Sequence, residues 1–346
     1  MLFSSAQAAE VLTTLEASGL LKRMAVAARV LNYNATYLYQ HADNMETFRV
    51  VHVYDANGEQ ERRESLDGMP REFIRNNDQI IGYLPDEKPF TLDRRTANKF
   101  FPGVILDQAV DVLSNYTFRR LGMDRVAGYD CQLIVLEPND KLRNPHKLCV
   151  DVRSGLLLKS VMYSPDDRGV MEQFAFSQLE IGGQIDKRLL KPVLMAKSNN
   201  AATLTSKIAS LLGLPSAAAN ASPPPGPTAP APVAAIPAPL AAMVAGPSTA
   251  SGAMAVGDLP AGFHLLNETL SQMQGKPKAV RHLLFSDGLV NVSVFVEPSG
   301  NGPISLPRQQ GALNFFSRQI DGWRITAVGE VPLKTVQLFT MAFEIR

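Results

Sequence analysis

A stretch of 50 residues without a single Asp, Glu, Lys or Arg, residues 208–257, divides the chain of 346 residues. Ala, Pro, Ser and Thr dominate it, with ten prolines between Pro215 and Pro247. Proline removes backbone hydrogen-bond donors, and the small side chains cannot form a core. We therefore predict a disordered Ala/Pro linker over residues 199–257, extended and semi-rigid where prolines cluster, between two folded domains.

Outside this linker the composition is that of ordinary globular domains. Charged residues make up 19% of the whole chain, and about 23% without the uncharged stretch, close to the usual fraction. The formal net charge of +1 argues against a strongly basic nucleic-acid-binding protein. The sequence contains no run of 18 apolar residues, so it predicts no membrane-spanning helix.

The first residues carry part of the pattern of a secretory signal peptide. Ala6-Gln7-Ala8 has the A-x-A form that surrounds a cleavage site, although no charged segment and long apolar segment precede it. We interpret residues 1–9 as a signal-peptide remnant; a small-residue tail before a helix is the alternative. The first interpretation predicts export to an oxidising compartment.

Residues 10–198 show the pattern of an antiparallel sheet with few helices. A helical apolar stripe predicts a helix over residues 9–31, and a second helix is predicted over Gly103–Leu113. Period-two alternation and short turns predict strands that pair with their neighbours along the chain in one large meander. The predicted strands are Thr36–His41, Thr47–Tyr54, Gln60–Leu66, Arg71–Arg75, Gln79–Leu84, Tyr116–Val126, Asp130–Glu137, Lys147–Val152, Leu156–Tyr163 and Met171–Ile181.

The strand Thr47–Tyr54 is apolar on both faces. Phe48, Val50 and Tyr54 point one way, whereas Val51 and Val53 point the other way. Such a sheet is either covered on both sides or lines an apolar groove with one face.

Residues 258–346 predict a small α+β domain. Two hairpins are expected, Ala279–Ser286 with Leu289–Glu297, and Ala312–Ile320 with Trp323–Val328, because the turn dipeptide Asp-Gly lies between the strands of each pair. Leu333–Phe343 is expected to be a helix packed on this sheet.

The two cysteines, Cys131 and Cys149, lie on either side of a predicted turn at Pro138–Arg143. A hairpin centred on that turn brings them opposite each other, which permits a disulfide in an exported protein. A slip of one residue in register would send the two side chains to opposite faces, so two buried thiols are the alternative.

The sequence offers no constellation of residues for catalysis or metal binding. It lacks a nucleophile elbow, a phosphate-binding loop and a zinc-protease motif, and its five histidines are scattered over both domains. We predict that the chain is not an enzyme and binds no metal or cofactor.

Six segments, in their order along the chain, resemble the MucB/RseB family. No single segment is diagnostic, and the ordered set over residues 10 to about 185 and 258–346 makes the likeness specific. The segments are Leu31–Gln40, Leu66–Arg75, Val152–Ser160, Leu259–Phe263, Leu284–Phe295 and Trp323–Pro332.

The resemblance implies a periplasmic negative regulator of the envelope-stress sigma factor. Such a protein binds the periplasmic region of a membrane-bound anti-sigma factor, shields it from site-1 proteolysis, and releases it on sensing a lipid or lipopolysaccharide signal. The implied N-terminal fold is a half-open antiparallel β-barrel with helices, like that of the lipoprotein carriers LolA and LolB. A periplasmic lipid or lipoprotein carrier is the alternative function. The sequence leaves the oligomeric state undecided, and a homo-oligomer is one of the alternatives.

Candidate contact residues follow from the predicted strands. Aromatic residues on the N-terminal strands are candidates for the lipid groove, with ordinary core packing as the alternative: Tyr37, Tyr39, Phe48, Phe174 and Phe176. Arg281, His282 and Arg324 on the C-terminal strands are candidates for partner contact, with solvated surface charge as the alternative.

Overall fold

The computed structural model describes residues 9–85, 87–92, 109–166, 169–194, 254–271, 279–299 and 307–345. The predicted signal-peptide remnant, except residue 9, and residues 199–253 of the predicted linker lie outside these ranges, as do residues 103–108 of the second predicted helix. No described helix is long and apolar enough to cross a bilayer.

The N-terminal domain is one antiparallel sheet of twelve described strands with two helices. Its strand order is β1-β8-β9-β10-β11-β12-β2-β3-β4-β5-β6-β7, and β1 and β7 are free edges, so the barrel is half-open as expected. The elements are β1 (Glu10–Val11), α1 (Thr14–Val30), β2 (Tyr33–His41), β3 (Asn44–Asp55), β4 (Gly58–Ser65), β5 (Glu72–Asn76), β6 (Gln79–Tyr83), β7 (Phe90–Leu92), α2 (Ala109–Asn115), β8 (Tyr116–Val126), β9 (Tyr129–Pro138), β10 (His146–Asp151), β11 (Leu157–Tyr163) and β12 (Val170–Ile181).

Every predicted N-terminal strand matches an observed strand to within three residues at each end, and strands joined by short connections pair with one another as expected. The chain forms two meanders, β2–β7 and β8–β12, and these are joined because β12 pairs with β2 at the far end of the sequence. The connection from Leu92 to Tyr116 is long enough to let β8 start away from β7.

Helix α1 covers the inner side of this sheet. Thr13 caps its first turn in a capping box, in which the backbone N–H of Thr13 donates to Glu16 Oε2 at 2.9 Å. Its buried residues are Ala17, Leu21, Met24 and Ala27. The helix therefore packs through a single apolar stripe, as the sequence pattern predicts.

The outer side of β3 is covered by a short 3₁₀ helix, Lys187–Leu190. Leu190 and Ile185 pack on Val51 and Val53. Both faces of β3 are therefore covered at this point. An apolar groove would have to be lined by other strands.

The C-terminal domain is an antiparallel sheet of six described strands with one helix on a single face. Both predicted hairpins are present, and the predicted helix ends two residues early because Phe343 begins a strand. Within the predicted linker, Met254–Val256 forms a strand that pairs with this last strand. The elements are β13 (Met254–Val256), β14 (His264–Ser271), β15 (Val280–Ser286), β16 (Asn291–Pro298), β17 (Arg308–Gln310), β18 (Leu313–Ile320), β19 (Trp323–Gly329), α3 (Leu333–Met341) and β20 (Phe343–Ile345), in the sheet order β14-β15-β16-β19-β18-β17.

Cys131 on β9 and Cys149 on β10 form a disulfide with a Cα–Cα distance of 5.3 Å. The register differs from the predicted one: Cys131 is opposite Asp151, and Cys149 is opposite Leu133. The shift is two residues, and because strand side chains alternate with period two, both sulfurs stay on one face and meet diagonally. Both cysteines are buried in the cluster that includes Ala27 of α1.

Replacing both Cys131 and Cys149 with Ala is expected to lower the free energy of unfolding by about 3 kcal/mol, because the bond closes a loop with a sequence separation of 18. Urea unfolding of the variant and the oxidised wild type measures this difference. As a control, the denatured, unreduced wild type should show no titratable thiol and the reduced protein two; two thiols before reduction would contradict the disulfide.

Candidate functional site

The five aromatic groove candidates form one cluster, because β12, β2 and β3 are neighbours. Tyr37 is paired with Phe48 on one side and Phe176 on the other, and Tyr39 is paired with Phe174. The Tyr37 ring lies 5.2 Å from the Phe48 ring and 5.1 Å from the Phe174 ring, and the Phe174 and Phe176 rings are 5.0 Å apart. Such distances are typical of stacked and edge-to-face aromatic pairs.

Burial separates the members of this aromatic cluster. Tyr37, Phe48, Phe174 and Phe176 are each at most 8% exposed and belong to the core, whereas Tyr39 is half-buried at its rim. Burial raises the pKa of the Tyr37 hydroxyl well above its ordinary value, so this group stays neutral. Tyr39 is therefore the candidate that a ligand reaches first.

Buried arginine–glutamate pairs on β4 and β5, with a histidine of β3 beside one of them, adjoin the aromatic cluster. Arg75 Nη2 donates to Glu59 Oε2 at 2.7 Å, and Nε2 of the fully buried His52 lies 3.3 Å from Glu59 Oε1. Arg63 Nη2 donates to Glu61 Oε1 at 2.9 Å. Buried charges are retained where each meets an opposite charge, as these do.

Two arginines contact the aromatic cluster directly. The guanidinium carbon of Arg63 lies 5.4 Å from the centre of the Tyr37 ring, and that of Arg71 lies 5.1 Å from the centre of the Phe48 ring. Both are cation–π contacts. No sequence pattern indicated a role for Arg63, since Gly58–Ser65 is polar at almost every position and resembles a solvated strand, and none did so for Arg71, which lies at the end of a turn.

The three C-terminal candidates do not share one face. His282 is paired with Phe295, and its ring stacks on Phe295 at 4.4 Å. Arg324, on β19, lies on the same face of the sheet as His282, whereas Arg281 points to the opposite face and donates to Glu268 at 2.6 Å. The three candidates therefore belong to two different faces of the C-terminal sheet, and each face needs its own test of partner contact.

The described residues contain no group of three side chains suited to hold a metal ion. Within the same part of the chain, the clustered ionisable groups pair with one another and form core and sheet contacts. We assign a catalytic role to none of them.

The burial of His282 makes the stability of the protein sensitive to acid. Desolvation lowers the pKa of His282 to about 4 from an ordinary value of 6.5. Between these two values the unfolded chain takes up a proton that the native imidazole refuses, so the free energy of unfolding falls as the pH drops from about 6.5 to about 4.

His282→Phe keeps the ring stack and removes the titrating group. We expect wild type to lose about 2–3 kcal/mol more than the variant between pH 7 and pH 4.5. Urea unfolding of both proteins at the two pH values measures this, and equal losses would show that His282 does not titrate as its burial requires. His146, fully buried with a pKa lowered to about 4, adds a similar loss in both proteins and cancels in the comparison.

Comparison with known proteins identifies both domains. The MucB/RseB N-terminal domain family matches residues 16–194, and the MucB/RseB C-terminal domain family matches residues 249–344. The sigma-E factor regulatory protein RseB of Haemophilus influenzae is 26% identical, over 100% of this chain and 96% of the relative. The sigma factor AlgU regulatory protein MucB of Pseudomonas aeruginosa is also 26% identical, over 97% of this chain and 93% of the relative.

Solved structures share the fold over both domains. The complex of Pseudomonas aeruginosa MucA and MucB superposes with a TM-score of 0.67 at 22% identity, covering 96% of this chain and 99% of that chain. MucB in complex with MucA(peri) superposes with a TM-score of 0.66 at 23% identity, covering 95% of this chain and 99% of that chain. Since two domain families match in the same order and together span most of the sequence, the chain belongs to the MucB/RseB family.

Proposed function

We propose that this protein is a periplasmic regulator that binds the periplasmic region of a membrane-bound anti-sigma factor. The match of both family domains, in order, carries the proposal, because the relatives matched over nearly their whole length are named as sigma-factor regulators. Structures of MucB with MucA support a proteinaceous partner for this fold. A buried disulfide fits an oxidising compartment such as the periplasm.

Shielding from proteolysis follows physically from such binding. A site-1 protease must accept its substrate as an accessible segment, and a segment held against this protein is withheld in proportion to the bound fraction. The shielding therefore needs no catalytic group in this protein.

The aromatic cluster supplies a site for an acyl chain that would relieve this shielding. Tyr39 presents apolar ring surface at the rim of the cluster, and Arg71 next to the cluster is paired with the more exposed Glu46, for which an anionic headgroup would substitute. An apolar chain that ends in an anionic headgroup, as in lipopolysaccharide, matches both features. We therefore propose a lipid or lipopolysaccharide signal that enters at Tyr39.

The partner proposal is tested with the periplasmic segment of the cognate anti-sigma factor. Calorimetric titration should show binding, and addition of this protein should slow cleavage of the segment by the site-1 protease. Lipopolysaccharide should weaken the binding about 5–150-fold if ligand and partner are coupled negatively. Absence of binding would overturn the function, and binding indifferent to the lipid would overturn only the lipid signal.

Arg281→Ala probes partner contact on the C-terminal domain, since its side chain is 27% exposed. We expect the variant to bind the same segment several-fold more weakly with an unchanged fold. Arg188→Ala is the matched control, an arginine 85% exposed on the N-terminal domain and paired with Asp186. Equal affinities of the two variants would remove Arg281 from the partner surface; Arg324→Ala tests the opposite face in the same assay.

Tyr39→Ala and Tyr37→Ala separate ligand contact from core packing. Tyr39 is at the rim, so its loss should reduce lipopolysaccharide binding while the fold is kept. Tyr37 is 3% exposed, so its loss should lower the free energy of unfolding by about 3–5 kcal/mol. Fluorescence titration with lipopolysaccharide and urea unfolding measure the two effects; unaltered lipid binding in Tyr39→Ala would place the ligand elsewhere.

A lipid or lipoprotein carrier remains the second candidate, favoured by the half-open sheet and its aromatic cluster. A carrier has no use for the C-terminal domain, which here is a complete folded sheet with its own core. Transfer of a bound acyl chain to an acceptor membrane, measured with and without the anti-sigma segment, distinguishes the two: a carrier transfers it regardless of the segment.

A further inference from the structure

The loop between β9 and β10 of the N-terminal domain inserts into the C-terminal domain. Arg143 in this loop is buried, and its Nε donates to Asp287 Oδ2 at 2.5 Å, between two side chains that have no exposed surface. Arg143 Nη2 donates to the carbonyl oxygen of Ala261 at 2.8 Å, and its guanidinium carbon lies 4.6 Å from the centre of the Phe263 ring. We call the contacts of this loop, of Asn115 and of Ala42 with the C-terminal domain the joint.

Two further side chains donate hydrogen bonds to backbone carbonyl groups across the joint. Asn144 Nδ2 donates to the carbonyl oxygen of Glu330 at 3.0 Å. Thr335 Oγ1, at the start of α3, donates to the carbonyl oxygen of Leu142 at 2.8 Å. Three consecutive residues of one loop thus bind three separate elements of the other domain.

Two glycines of the C-terminal domain allow this close approach. A Cβ at Gly262 would lie 2.1 Å from Asn115 Oδ1 and 2.6 Å from Arg143 Nη2, and one at Gly311 would lie 2.8 Å from the backbone nitrogen of Ala42. A larger residue at Gly311 meets backbone of the other domain, and one at Gly262 displaces the side chains of Asn115 and Arg143 that form the contact. The two glycines lie at different places in the joint, so the two domains pack closely against each other at more than one point.

The joint is mainly polar and is not fully satisfied. Nε2 of His146 and Oδ1 of Asn144 are buried without a hydrogen-bond partner among the described residues. The Arg143–Asp287 pair has also given up its hydration, which offsets much of its mutual attraction. Opening returns all these groups to water, so its net cost is much smaller than the number of contacts suggests.

The aromatic cluster reaches the joint at Tyr39. The Tyr39 ring stacks on the His41 ring with 6.4 Å between their centres, and His41 lies against the C-terminal domain, where a Cβ at Gly311 would be 3.0 Å from His41 Cε1. Ala312 of the C-terminal domain packs on Met162 and Met171, which belong to β11 and β12. A ligand that displaces Tyr39 therefore acts directly on the boundary between the domains.

We propose that the joint is a conformational latch: its closed form holds the anti-sigma segment, and a ligand entering the aromatic cluster at Tyr39 opens it. Release of the anti-sigma segment on opening rests on the proposed function. The opening itself rests on the contacts of Arg143, Gly262 and Gly311. The two parts are testable separately.

The mechanism is tested without partner or lipid. Gly262→Ala in the full chain should open the joint, because its methyl group meets Asn115 and Arg143. Gly322→Ala is the matched control, since Gly322 has a similar φ of +82° against +76° but nothing within 4 Å of a Cβ. Gly311→Ala opens the joint from its other contact and guards against a folding defect of the first variant.

Hydrogen exchange of the backbone amides in residues 139–145 is the readout, with circular dichroism as the folding check. We expect exchange at least about tenfold faster in Gly262→Ala and Gly311→Ala than in wild type and Gly322→Ala. Equal exchange in all four folded proteins would overturn the latch.

The consequence is tested with the same proteins and the anti-sigma segment. Opened variants should bind the segment at least about fivefold more weakly than Gly322→Ala, and lipopolysaccharide should speed exchange of the loop in wild type. If the joint opens while affinity is unchanged, the regulatory role is overturned and partner binding stands. If wild type fails to bind the segment at all, the proposed function is wrong and the regulatory role falls with it.

Discussion

The pairing of β12 with β2 is the interaction on which the N-terminal domain depends. It joins strands from opposite ends of the domain, such as Phe176 with Tyr37, and makes one sheet out of two meanders. Contacts so distant in sequence carry a large loop-closure entropy and must be offset by packing. The aromatic cluster supplies that packing, since Phe174 and Phe176 meet Tyr37 and Phe48 only when this pairing forms. The candidate ligand site is therefore also the seam of the fold, so a ligand that loosens it acts on the whole domain.

Buried ion pairs fix the register of the strands next to this seam. Arg62 on β4 meets Glu72 on β5, and Arg75 on β5 meets Glu59 on β4, while β4 itself carries no apolar side chain. A slip in register would leave charges unpaired in the interior, where removing one partner of a buried pair costs about 3–5 kcal/mol. Apolar patterning specifies register on most strands, and charge pairing does so on β4.

Local sequence patterns predicted the helices and strands, but they could not predict contacts between residues far apart in the chain. Alternation and turn residues placed the strands, and the predicted hairpin of Cys131 and Cys149 was displaced by two residues without changing the face of either side chain. The order of the sheet and the burial of Arg63 depend on pairs far apart along the chain, which no local pattern encodes. The same limit hid the role of Asp287: its turn was predicted from the Asp-Gly dipeptide, and its carboxylate serves both that turn and Arg143.

Because the two domains are covalently connected, even a weak joint between them stays closed most of the time. Residues 195–253 keep the two domains in one chain, and a tether of this kind gives an effective concentration of about 1 mM at most. A joint with an intrinsic dissociation constant of about 10 μM would then be closed about 99% of the time, a preference of about 2.7 kcal/mol. A coupling free energy near the upper end of the usual range of about 1–3 kcal/mol is enough to cancel that preference. A polar joint with unsatisfied groups such as His146 Nε2 thus has the strength that a ligand can reverse, whereas a large apolar interface would stay closed with or without it.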